Sequence, residues 1–161
     1  MTKNIYRKIA LLLVCIAVVF SVTACSVTSG TESKKSTPEK IVEKIQSECD
    51  LPEMKEVSED QLSSLYSIRK DDVAYFSALI TNDSLLKDEV IVIEAMDEGE
   101  ACTIRDRLQE HYDAVLEESK EYLPDEYAVV EKCSVVKDGI YVRLFISEDA
   151  DKMNEIYNSY V

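Results

Sequence analysis

The chain has 161 residues, with 18 Lys+Arg against 32 Asp+Glu and a formal net charge of −14. That length allows one modest domain, and a hydrophobic share of 46% can build its core. The acidic balance excludes a nucleic-acid binder, because phosphate contacts need Lys and Arg; the single histidine, His111, excludes a site built on two; three glycines leave none for a phosphate-cradling loop.

The N-terminus reads MTKNIYRKIALLLVCIAVVFSVTAC. Lys3, Arg7 and Lys8 form a positive start, and Ile9 to Phe20 is an unbroken apolar run of twelve. That run is short of the roughly 20 residues a spanning helix needs and suits the h-region of a signal peptide. It ends at Val22-Thr23-Ala24-Cys25, which resembles the lipobox of bacterial lipoproteins. The resemblance implies a diacylglycerol on the Cys25 thiol and cleavage just before it. Cys15, inside the run, reads as a plain apolar residue. The expected organisation is a signal peptide over 1–24, a lipidated cysteine with a flexible tether over 25–36, and one domain over 37–161. Loss of 1–24 removes three positive charges and no negative one, so −14 becomes −17. Anionic lipid and wall polymers repel such a surface. The eleven residues Ser26 to Ser36 carry no apolar pattern, and a flexible tether of that length spans about 18 Å.

Thr37-Pro38-Glu39 predicts a helix start, with Thr as cap and Pro at the first helical position. Ile41, Val42 and Ile45 give that helix one apolar face, and Leu51-Pro52 ends it. Ser58-Glu59-Asp60-Gln61 fits a capping box opening a second short helix through Leu65. Val73 to Ile80 reads as a strand, followed by the turn cluster Thr81 to Ser84. Glu89 to Met96, EVIVIEAM, is apolar on both sides, as in a strand that is covered on both faces or central in its sheet. A long helix is expected over about 99–121, because Ala101, Ile104, Leu108, Tyr112, Val115 and Ser119 form one stripe. Pro124 to Tyr127 suggests one more helical turn. Asp138-Gly139 between apolar runs predicts a hairpin with those two residues at its tip, pairing Lys137 with Ile140 and Val135 with Val142. Ile140, Val142, Leu144 and Ile146 then face the core, and Tyr141, Arg143 and Phe145 the other side. Ser147 to Ala150 caps a last helix with Met153, Ile156 and Tyr157. The expected class is α+β: a small mixed or mostly antiparallel sheet with a C-terminal β-hairpin and helices packed mainly on one face.

From Ser58 to the C-terminus the chain resembles a family of bacterial lipoproteins carrying the domain of unknown function numbered 4358. The resemblance rests on the apolar strand Val90 to Ala95, the acidic start of the long helix, Tyr122-Leu123-Pro124-Asp125-Glu126-Tyr127, Tyr141 to Ser147, and Ser147-Glu148-Asp149-Ala150. It implies a surface lipoprotein of Gram-positive type and carries over no functional residues.

His111, at the edge of the long helix's stripe, could act as a general base but reads as a boundary histidine half-packed on the core. Cys49, Cys102 and Cys133 are odd in number, and acidic surroundings disfavour a thiolate, so structural or incidental cysteines are expected. Asp97, Glu98 and Glu100 lack calcium-loop spacing, and capping explains Asp149 and Asp151. Tyr122, Tyr127 and Tyr141 are the tyrosines most suited to a groove. The resulting expectation has no catalytic residues, metal or cofactor. It is a lipid-anchored module on the extracytoplasmic face of the cell membrane, held by Cys25, non-enzymatic, with a cationic envelope protein or peptide as partner. The alternative is a small envelope enzyme using acidic residues on a wall substrate.

Overall fold

In a computed structural model, which describes residues 37–161, Thr37–Glu48 forms helix α1 with Ile41, Val42 and Ile45 buried. Cys25, the signal-like run and the tether lie outside the described residues. Met54–Glu56 is a short strand, β1, too brief to show a period in the sequence. Helix α2, Glu59–Tyr66, opens on the expected capping box: Ser58 Oγ accepts from the Gln61 N–H at 3.3 Å, and Gln61 Oε1 accepts from the Ser58 N–H at 3.0 Å. Ser67 closes it in the left-handed region at φ 56°. A 3-10 turn at Lys70–Asp72 leads into β2, Val73–Thr81, and then β3, Glu89–Ala95. The long helix α3 spans Glu98–Tyr122, and all six residues of the expected stripe are buried. Asp97 caps it by accepting from the Glu100 N–H at 2.9 Å. Helix α4, Pro124–Val130, precedes the hairpin of β4, Val135–Asp138, and β5, Tyr141–Ile146. Helix α5, Ala150–Asn158, ends the chain.

The five strands form one sheet in the order β1-β2-β3-β5-β4, and every pairing is antiparallel. The α+β class and the C-terminal hairpin are as expected. β3 is both central and covered on both faces, which explains why its sequence lacks polar alternation. Ile91, Ile93 and Ala95 face a core closed by α2, the α3 stripe and Val130 of α4, together with Val142, Leu144 and Ile146. Val90 and Val92 face a second core with Leu79, Phe145, the α1 residues Ile41, Val42 and Ile45, and the α5 residues Met153, Ile156 and Tyr157. Most helical residues lie on the first face, and α1 and α5 seal the other.

The hairpin tip sits one residue later than its sequence suggests. Asp138 pairs with Tyr141 and Lys137 with Val142, leaving Gly139-Ile140 as the loop. Only Gly139 has positive φ, 58°, as when glycine leads a two-residue turn of type II′. A type I′ tip would have required positive φ at Asp138 too. Sliding the tip by one moves every partner by two, so Val142, Leu144 and Ile146 stay inward, whereas Ile140 falls in the loop and not on the core face.

Candidate functional site

His111 meets two residues that sequence spacing does not connect to it. Its Nε2 lies 3.0 Å from Oε1 and 2.9 Å from Oε2 of Glu89, at the start of β3. Tyr66, the last residue of α2, donates its hydroxyl to Glu89 Oε2 at 3.3 Å and stands edge-on to the imidazole with ring centres 4.6 Å apart. The His111 and Glu89 side chains are 19% and 12% exposed. Burial, with the Glu89 carboxylate beside it, pushes the Tyr66 hydroxyl far above its ordinary range and keeps it a donor. None of the five cavities characterised among the described residues is lined by any of the three. The cluster ties α2, β3 and α3 together.

A second grouping is open to solvent. The chain before β3, the start of α4 and the end of β5 enclose a cavity of about 280 Å³ with Asp50, Asp88, Glu126 and Glu148 on its walls and Leu86 and Val129 at its apolar side. A neighbouring cavity of about 360 Å³ shares Val129, Ser147 and Glu148 and adds Asp125, Cys133 and Asp151. Two of the stretches that carry the family resemblance, Tyr122 to Tyr127 and Ser147 to Ala150, thus meet across one groove. Glu126 Oε2 accepts the Lys87 N–H at 3.0 Å, and Lys87 Nζ lies 3.1 Å from Glu118, which sets the groove's rim. Burial pushes the Asp88 carboxyl up; Glu126 and Glu148 act in the same direction, against a Ser147 hydrogen bond. Such a wall attracts a cationic group. Among the described residues no group of three His, Cys, Asp or Glu is placed to hold a metal ion.

The remaining sequence candidates scatter. Cys49 is half-buried, Cys102 exposed and Cys133 buried, and all three are free thiols. Burial pushes Cys49 and Cys133 up, against thiolate formation, and Cys133 Sγ donates to the Val129 carbonyl at 3.4 Å. Tyr122, Tyr127 and Tyr141 line none of the five cavities described. Asp149 stands at the cap position of α5, where its carbonyl accepts the Met153 N–H at 3.0 Å, but its side chain does not cap that helix; Oδ2 accepts the Asp50 N–H at 2.8 Å instead, joining α5 to the loop after α1. Arg143, on the side of β5 opposite the expected core face, is 8% exposed. Its guanidinium stacks 4.6 Å from the Tyr157 ring centre and donates to Asn154. No local signal marks it, because α5 buries it only after the chain has folded back.

The family model described as a domain of unknown function, DUF4358, matches residues 47–147, from the end of α1 to the end of the sheet. No curated protein and no solved structure matches the chain.

Proposed function

The chain belongs to the DUF4358 family, and from that premise we propose that it is an extracytoplasmic lipoprotein, anchored through Cys25, whose domain is a non-enzymatic binding or accessory module of the cell envelope. The observation that carries this reading is the order of the N-terminal sequence: Lys3, Arg7 and Lys8, then Ile9 to Phe20, then Val22-Thr23-Ala24-Cys25. Acyl chains on Cys25 hold the module at the membrane. Its net −17 after loss of 1–24 keeps it off anionic lipid and open to cationic partners. Support for the binding role comes from the open acidic groove walled by Asp50, Asp88, Glu126 and Glu148. Metabolic labelling with a fatty acid tests the anchor: label should enter the wild type and not Cys25→Ser, and equal label in both refutes it.

A second reading, a small envelope enzyme acting on a wall glycan, draws on Asp88, a carboxyl raised by burial in a cleft with Glu126 and Glu148. Turnover of purified wall glycan that disappears in Asp88→Asn would establish it and remove the binding module.

A further inference from the structure

The outer side of β2 is only partly occupied. β1 reaches Leu79, Ile80 and Thr81 and then turns away, its last tie being the Val57 N–H to the Ala78 carbonyl at 2.9 Å. Among the described residues no strand pairs with Val73–Ala78 on that side. The Thr81 N–H bonds inward to Asp88, and the Asn82 N–H outward to Glu53. By antiparallel alternation the even residues of β2 face outward. Phe76 therefore presents both its N–H and its C=O to an empty edge.

Two cavities flank that edge, and Phe76 lines both. One, of about 340 Å³, lies toward α2, with Leu62, Val73 and Met96 in its walls and the Lys70–Glu59 ion pair and Asp71 at its polar side. The other, of about 390 Å³, lies toward α1, with Glu39 and Glu56 and no Lys or Arg in its walls. Tyr75 and Met96 stand 57% and 60% exposed at the end of the edge. A bulge between Val73 and Tyr75 limits the straight edge to a few residues. Proteins usually blunt or cover an edge like this.

We propose that the edge of β2 around Phe76 docks a short extended segment of a basic partner protein. The segment adds as a strand, with apolar side chains entering the α2-side cavity and Lys or Arg the α1-side cavity. Successive side chains of a strand point to opposite faces, as two cavities on opposite sides of one edge require. The charge of the α1-side cavity selects the partner's sign, and the backbone of Phe76 supplies pairing that does not depend on side-chain identity. The inference rests on the binding-module reading and names its surface.

The test uses the full chain in detergent solution and a blocked seven-residue peptide of alternating Lys and Val. Amide exchange followed by NMR should slow about tenfold or more at Phe76 when the peptide is bound. The same peptide N-methylated on alternate amides should bind at least about tenfold more weakly, as should Phe76→Pro, which loses the outward N–H while the donors to β3 remain. The exposed pair Glu39→Gln with Glu56→Gln should weaken the Lys peptide and leave a Ser-for-Lys version unaffected, and it keeps the test open if Phe76→Pro does not fold. No binding, unchanged exchange at Phe76, or equal affinity of the N-methylated peptide overturns the site. Equal capture of a membrane partner by wild type and Phe76→Pro also overturns it while leaving the binding module standing; that reading falls instead on the glycan turnover described above.

Discussion

Replacing Ile45 with Ala tests the second core, the part of the fold least visible in the sequence. Ile45 has no exposed surface and packs from α1 into the cluster of Leu79, Val90, Val92 and Tyr157. Truncating a fully buried isoleucine costs about 2–5 kcal/mol, the lost transfer energy of its carbons plus the cavity left behind. For the 125 residues described, unfolding entropy at about 2.1 cal/mol/K per residue totals about 0.26 kcal/mol/K. A loss of about 3 kcal/mol therefore lowers Tm by roughly 11 °C. Urea unfolding of a chain lacking 1–36, followed by circular dichroism, should show a lower midpoint with the slope unchanged. A chain starting at residue 58, which lacks α1 and β1, should lose cooperative melting, because Val90 and Val92 lose their cover. A change below about 0.5 kcal/mol for Ile45→Ala would refute the packing of α1 on the sheet.

Leu108→Ala, in the core on the opposite face, should also cost about 2–5 kcal/mol. Combined with Ile45→Ala it should add to within about 0.5 kcal/mol, because the two residues share no cluster; urea midpoints of the single and double variants check this. Glu89→Gln removes the charge that His111 and Tyr66 share and should cost about 1–3 kcal/mol by the same measurement, with Tyr66→Phe nearer about 0.5–1.5 kcal/mol. Asp88→Asn should raise Tm at pH 7. Burial lifts the Asp88 carboxyl above its ordinary range, so its ionisation disfavours the fold as pH rises through that raised value. The difference should vanish below about pH 3, where both folded and unfolded forms are protonated. A variant less stable than wild type at pH 7 would reverse the assignment.

The order and type of nearly every element were legible because each is written in a local pattern. The capping box at Ser58, the six-residue stripe of α3, the doubly apolar run of β3 and the Asp-Gly tip all act within a few residues of chain, through backbone hydrogen bonding and side-chain period. β1 was missed because three residues show no period. The turn register slipped because Asp138-Gly139 and Gly139-Ile140 both place a glycine where positive φ is needed, and only the pairing with β3 and β4 selects between them. What joins distant segments left no local trace. Glu89 reads as an ordinary polar strand residue until α2 and α3 bring Tyr66 and His111 to its two oxygens. Arg143 reads as lying off the core face until α5 covers it. Asp149 reads as a cap until the loop after α1 offers it the Asp50 N–H. Local hydrogen bonding and hydrophobic period determine which elements form, whereas the partners of a charged or polar side chain depend on which surfaces end up buried together, and only the tertiary structure decides that.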